Sequence, residues 1–335
     1  MLAECQAALP GWSRLAVDDV DFDEPKGFSS FTMGVRPRVP VEPPAVLYRR
    51  LEGKENAILD FEAERSVFLL LGSAGIAAEC LHYDDRCRIE AFHRGRSLTA
   101  ADLSSPAVLT GIAGQLHRFH QLEPHMLPSG TFFELLHERW GPMAERVLGD
   151  QRDRFPEEER PLCDELSAIH SSETLEKVLA VVPEGERRFC HNDTYHGNVM
   201  LLDDGSIRLV DFEFSCRNHI AFDFSNLFAE TAMRHGLSDP PHFSIAERTA
   251  GDAEVRTLVE AYVANEGLGP AAARARADEL FADTLRCIML SDFMYAMAAL
   301  PLAVEPIQKI RFLPYAAQRF ARFEREWSER FGSGS

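Results

Sequence analysis

The spacing of apolar and polar positions divides the chain into a strand-rich beginning and a helical remainder. Val46 to Leu51 and Arg88 to Phe92 are short runs rich in β-formers and bounded by turn residues, so each predicts a strand. The glycine and hydroxyl run Lys26 to Gly34 leads into Val35 and reads either as a turn whose backbone amides and hydroxyls cover phosphates or as a plain hairpin turn. Between strands, Asp60 caps a predicted helix that buries Val67, Phe68 and Leu71 and carries Glu64, fifteen residues after Arg49. Residues 1 to about 25 are acidic, only weakly periodic, and predict no firm element. Gly95 after the second strand marks a hinge, which puts a lobe boundary near residues 91–95 and divides the chain into 1–92 and 93–331.

Beyond that boundary the period becomes helical. Val108, Ile112, Leu116, Phe119 and His120 share one face, on which His117 and His120 read as packing or surface groups rather than metal ligands. Further helices are predicted over 131–149, 158–181, 221–235, 245–266, 271–300 and 311–330. The exception is a hairpin, Val199 to Leu202 and Ile207 to Val210, joined by the turn Asp203, Asp204 and Gly205. The mixture predicts an α+β fold with a small sheet lobe and a larger helical lobe.

The residues around that hairpin carry the chemistry. His191, Asn192 and Asp193 precede it, Asn198 enters it, and Asp211, Phe212 and Glu213 leave it. H-x-D-x-x-x-x-N followed by a second aspartate is the spacing of a phosphoryl-transfer loop. That reaction passes through a loose, charge-spread transition state, so it needs oxygen ligands for magnesium and one carboxylate to orient the attacking hydroxyl. On that reading Asp193 is the base and Asn198 and Asp211 hold the metal beside ATP. Glu213 stands where a protein kinase has glycine, which excludes that class.

Charge and cysteine content narrow the partners. A formal net charge of -18, with no basic patch, argues against nucleic acid. Seven scattered cysteines with no C-x-x-C pair fit reduced thiols in the cytoplasm. The first residues lack the apolar run of a secretory leader, and no window reaches about 18 uncharged apolar residues, so no membrane span is expected.

The stretch HNDTYHGNVMLLDDGSIRLVDFEFSCRNHIAFDFSNLFAE closely resembles the signature region of choline/ethanolamine kinases, HND-x-x-x-GN-I-L, I-D-F-E-Y and FD-I-x-N-H-F-x-E. The likeness continues through VLYR at 46–49, CRIEAF at 87–92 and Ser291 to Phe320, and so covers most of the chain. It implies a two-lobed protein-kinase-like fold with ATP at the hinge. The activity implied is phosphorylation of the hydroxyl of choline or ethanolamine, the first step of the CDP-choline and CDP-ethanolamine routes to phospholipids. The partners implied are an amino alcohol and ATP, with a homodimer left open.

Carried onto this sequence, the resemblance makes Arg49 and Glu64 the pair that braces the phosphates, puts Ser29 and Ser30 in the phosphate-covering loop, and sets Glu90, Ala91 and Phe92 at the adenine-contacting hinge. Glu213 and His191 become supporting residues, and Asp223, at the start of a predicted helix, is expected to cap that helix or brace a loop. For the amine, Phe214, Glu230, Tyr295 and Tyr315 match the pocket in which ring faces and a carboxylate hold a cation. The pattern departs from the family where Tyr295 and Ala298 occupy its W-x-x-W element, and where Thr231 and His235 replace a tryptophan and a tyrosine. Two alternatives stay open at this point, a kinase of another hydroxylated amine such as an aminoglycoside, and an amine-binding pseudokinase.

Overall fold

The computed structural model describes residues 1–24, 31–51, 59, 61–305 and 310–332. Ser29, Ser30 and the capping Asp60 lie outside the described residues.

In chain order, helix α1 (Leu2–Ala8) precedes strands β1 (Val20–Phe22), β2 (Thr32–Pro37) and β3 (Val46–Arg50), helix α2 (Phe61–Ser73), and strands β4 (Cys80–Tyr83) and β5 (Cys87–Ala91). The five strands make one antiparallel sheet in the order β1-β2-β3-β5-β4. Strand alternation decides what each face does. Val46 and Tyr48 of β3 and Cys87 and Ile89 of β5 bury against Cys5, Leu9 and Trp12. The acidic beginning of the chain is therefore a structured cover for the outer face of the sheet. Seven residues of helix are too few to display a period, which is why its pattern gave no prediction. The inner face receives Leu47, Arg49, Arg88 and Glu90, with Arg49 directly opposite Arg88 in the β3–β5 register.

The second part runs β6 (Gly95–Ser97), α3 (Pro106–His120), α4 (Phe132–Leu148), α5 (Pro161–Glu165), α6 (Ser172–Val181), β7 (Arg188–Cys190), β8 (Val199–Leu202), β9 (Ile207–Leu209), β10 (Cys216–Asn218), α7 (Ala221–Ala229), β11 (Met233–His235), β12 (Phe243–Ile245), α8 (Asp252–Val263), α9 (Pro270–Ala303) and α10 (Phe312–Phe331). Gly95 lies so close to β8 that a Cβ there would meet the Leu201 carbonyl oxygen at 2.5 Å.

Three predicted helices are shortened. The one over 158–181 is cut in two, and its second part restarts where Ser171 Oγ accepts the Thr174 N–H at 3.1 Å. The one over 221–235 stops at Ala229, because Met233–His235 pairs with Phe243–Ile245 as β11 and β12. The one over 245–266 starts only at Asp252, after Gly251. By length and composition α9 is apolar enough to cross a membrane, which the sequence reading did not foresee, but 72% of its apolar window is buried inside the protein. It is a core helix, packed against α4, α7, α8 and α10.

Under the loop that carries His191 and Asp193, Phe119 of α3 is fully buried and stacks on Phe189 at 4.6 Å and on Phe212 at 5.9 Å between ring centroids. Phe119→Ala is expected to destabilise the protein by about 3–5 kcal/mol in urea unfolding, through lost burial and the cavity left behind. A loss below about 1 kcal/mol would show that the loop does not rest on this stack.

Candidate active site

The loop after β7 is held by one carboxylate. Asp223, in the first turn of α7 and fully buried, accepts the backbone N–H of His191 at 2.9 Å and of Asn192 at 2.7 Å. It also accepts His120 Nε2–H at 2.9 Å, while Tyr262 donates to the other nitrogen of that ring at 2.9 Å. His120 is thereby a hydrogen-bonded packing group. Thr194 Oγ1 donates to the Asp223 carbonyl. The loop can then turn through Asn192, whose φ of 63° is left-handed and is supported by its amide, which donates to Phe214 O at 2.9 Å and accepts from Asn218 Nδ2 at 2.9 Å.

The same bonds carry the returning strand to the loop. His191 Nε2–H donates to Val210 O at 3.0 Å, and the Val210 N–H donates to Asn198 O at 3.0 Å. Asp211 follows at φ 66°, a second left-handed residue without glycine's freedom. Asn198 Nδ2 donates to the Asp193 carbonyl at 2.9 Å and to Asp193 Oδ2 at 2.7 Å. Tyr295 of α9 donates its hydroxyl to the other oxygen, Asp193 Oδ1, at 2.5 Å. Burial raises the Asp193 carboxyl well above the usual range, the Tyr295 bond opposes this, and the charges of Asp211, Glu213 and Glu230 add to the rise. Burial lowers His191 and keeps its ring neutral.

On the sheet side, Arg49 Nη1 donates to Asp211 Oδ1 at 2.9 Å and so ties the two lobes across the cleft. Burial pulls the Arg49 guanidinium down, but the charges of Asp211, Glu90 and Glu213 outweigh it and hold the group firmly charged. The predicted Arg49–Glu64 pair is not the one formed. Arg88 sits between them, with Nη1 3.4 Å from Glu64 Oε1 and Nε donating to Glu90 Oε1 at 2.7 Å, and its guanidinium lies 3.7 Å over the Phe68 ring. Arg49 and Arg88 stand opposite each other on one face, and Arg88 is the one that α2 covers with Glu64 and Phe68. Glu90, predicted at the hinge, therefore turns its side chain into a buried ion pair. Ala91 and Phe92 border a cavity of about 340 Å³ at the C-terminal end of β5, where the Arg36 guanidinium lies 4.5 Å over the Phe92 ring.

The predicted amine pocket also contains a cation of the chain itself. Arg319 of α10 is 1% exposed and gives Nη2 to Glu230 Oε1 at 2.6 Å and Oε2 at 2.8 Å, and to the Tyr315 hydroxyl at 2.9 Å. Its Nη1 donates to Asp292 Oδ1 at 2.8 Å, and Arg322 Nε reaches Asp292 Oδ2 at 3.1 Å. The guanidinium lies 5.0 Å from the Tyr295 ring centre and 5.1 Å from that of Tyr315. Glu230 thus has both oxygens committed to Arg319, and the two rings face that charge. Phe214, half-buried, packs edge-on against Trp140 at 5.6 Å.

The sequence profile described as choline/ethanolamine kinase matches residues 27–324. The chain belongs to the choline/ethanolamine kinase family. It is a small-molecule kinase, and family membership carries with it the use of ATP. A probable choline kinase 2 of Arabidopsis thaliana is 28% identical over 81% of this chain and 74% of its own length. Human ethanolamine kinase 1 is 26% identical over 83% of this chain, which spans 61% of that relative. The solved choline kinase of Cryptosporidium parvum superposes with a TM-score of 0.77 at 18% identity, over 99% of this chain and 96% of that one, and so shares its two-lobed fold.

Within this kinase, three residues at the site escaped the sequence reading. Arg319 and Asp292 lie on different helices and meet only in the fold, although both fall within the Ser291 to Phe320 stretch that resembles the family. Tyr195 folds over Gly197, where a Cβ would stand 2.3 Å from its ring, and the charges of Asp193, Asp211 and Glu230 all bear on its hydroxyl. The glycine of H-G-N was the available signal. Of the departures from the family, Thr231 is buried with its hydroxyl donating to Phe228 O at 2.7 Å, Ala298 is half-buried, and His235 is exposed with its ring 6.0 Å from that of Tyr315.

Asp223→Ala would leave two buried N–H groups and the His120 ring without their acceptor. The expected cost is about 3–5 kcal/mol by chemical denaturation, together with loss of turnover. A change under about 1 kcal/mol would mean the loop holds its shape without this carboxylate.

Proposed function

We propose that this kinase transfers the γ-phosphoryl group of ATP to the hydroxyl of a small amino alcohol, ethanolamine or choline, with Asp193 as base and Asn198 and Asp211 as magnesium ligands. The observation that supports the reading most is the bonding of Asn198 to Asp193 at 2.7 Å, on a loop tied through Val210 to the strand that carries Asp211. The donor set suits a hard cation. Asn198 turns its amide nitrogen to Asp193, so its carbonyl oxygen faces the other way, and Asp211 adds a carboxylate. Magnesium bound there would neutralise charge spreading over the transferring group.

Asp193 accepts the substrate hydroxyl proton as that oxygen attacks the γ-phosphorus in line, and the bond to the bridging oxygen breaks to release ADP. Burial, which raises this carboxyl, also makes its ionised form a stronger base. Arg49, whose guanidinium suits bidentate contact, holds phosphate oxygens, with Glu213 and His191 as supports. The nucleotide lies between a lobe of residues 1–92 and a lobe of 93–331, with Ala91 and Phe92 at its base. Glu64 and Glu90 act indirectly, by fixing Arg88 beside Arg49. Phe214, Tyr295 and Tyr315 form walls for the amine, and Glu230 acts through Arg319.

Ala298 where the family has a tryptophan removes a ring face, which favours a primary ammonium, able to donate hydrogen bonds, over a trimethylammonium, which relies on rings. The seven free cysteines, six of them buried, support a reducing, cytoplasmic setting, and the phosphorylated amino alcohol is a precursor of phospholipid head groups.

A panel of ethanolamine, choline, methylated ethanolamines and aminoglycosides, followed by ADP release, tests the substrate. Turnover is expected with ethanolamine, and kcat/KM is expected to fall by about tenfold on full methylation. ADP release with aminoglycosides alone would move the enzyme to another substrate class. Binding of Mg-ATP with no ADP release from any mixture would make it a pseudokinase. Asp193→Asn is expected to lower kcat by about a thousandfold or more while calorimetric ATP binding persists, and near-normal turnover would remove Asp193 from its role.

A further inference from the structure

The catalytic carboxylate is oriented from a direction the sequence does not reveal. Asp193 has two oxygens, and in this structure each already has one donor. Asn198, on the same loop, holds Oδ2, and Tyr295, from the middle of α9, holds Oδ1 at 2.5 Å. An asparagine donor alone leaves a carboxylate free to rotate about its last bond, whereas two donors on opposite oxygens fix its plane. That plane decides which lone pair faces an incoming hydroxyl.

Tyr295 is itself fixed. One turn earlier on α9, Asp292 bonds Arg319 Nη1 at 2.8 Å, and the guanidinium lies 5.0 Å from the Tyr295 ring centre. Arg319 is locked in turn by both oxygens of Glu230 and by the Tyr315 hydroxyl, one turn before it on α10. The order of support runs from Glu230 and Asp292 to Arg319, to the Tyr295 ring, to the Tyr295 hydroxyl, to Asp193. The position is also one where this chain departs from its family, since the first tryptophan of W-x-x-W has no hydroxyl to give.

We infer that Tyr295 is a positioning residue for phosphoryl transfer, its hydroxyl orienting the Asp193 carboxylate and its ring held by the buried Glu230–Arg319–Asp292 network. The inference rests on the proposed role of Asp193 as base. Tyr295 reaches the reaction through Asp193 and forms no bond to the transferring group. Removing its hydroxyl alone therefore slows the chemical step without weakening nucleotide binding.

Tyr295→Phe keeps the ring over Arg319 and deletes only the hydroxyl, and Tyr295→Met fills the space without a ring. Both are compared with the parent enzyme on its best amino alcohol, by steady-state and single-turnover kinetics, with thermal midpoints and calorimetric ATP binding recorded alongside. In Tyr295→Phe, kcat and the single-turnover rate are expected to fall by about tenfold to a hundredfold, KM for ATP to stay within about twofold, and the thermal midpoint to stay near that of the parent. Tyr295→Met is expected to lose at least as much kcat and to show a lower midpoint, because the guanidinium loses its ring. A kcat within about threefold of the parent in a folded Tyr295→Phe, a loss carried by KM alone, or failure of both variants to fold overturns the inference and leaves Tyr295 a packing residue. If the parent enzyme turns over no amine, it is the proposed function that fails. Parent turnover with an unaffected Tyr295→Phe removes the positioning role and leaves the function standing.

Discussion

The site depends on the placement of one buried carboxylate. Asp223 sits in the first turn of α7 with none of its side chain exposed, and it uses its oxygens on N–H groups of another segment rather than on its own helix. Burying a carboxylate is costly unless its lone pairs are filled, and two backbone donors with the His120 ring fill them. The consequence is directional. Only a loop in one conformation, with Asn192 in the left-handed region, can present both N–H groups together, so the carboxylate selects the backbone shape that aims Asp193.

The opposite wall of the cleft follows from strand alternation. The face of β3 and β5 that meets α1 is apolar, and the other face collects Arg49, Arg88 and Glu90 within a few ångströms. Like charges opposite one another in a sheet repel, and each arginine moves to a separate carboxylate. Arg88 stays inside the small lobe with Glu64 and Glu90, and Arg49 crosses to Asp211. The two pairs of Arg88 thereby stiffen the small lobe, and the Arg49–Asp211 pair links it to the segment that leaves the hairpin.

The third group of charges is closed on itself. Glu230, Asp292, Arg319 and Arg322 pair two acids with two bases in a nearly dry space between α7, α9 and α10. Such a cluster adds little net stability over well-packed apolar residues but tolerates few geometries, which makes it a rigid support for the tyrosines around it.

Much of this was legible in the chain. The hairpin after Asn198, the apolar faces of α2 and α3, and the order His191, Asp193, Asn198, Asp211 are local patterns, because a period or a motif needs only neighbouring residues. The short first helix, the halted helix after Ala229 and the strands that replace its continuation were not legible, since the bonds that make them join residues far apart. The sequence by itself determined the family, the α+β class and which side chains could do chemistry. Tertiary structure alone decided which partner each charge took, Arg49 with Asp211, Arg88 with Glu64, Arg319 with Glu230 and Tyr295 with Asp193. The physical reason is that hydrogen bonds and ion pairs act over a few ångströms, and only the packing of strands and helices sets which distant groups come within that reach.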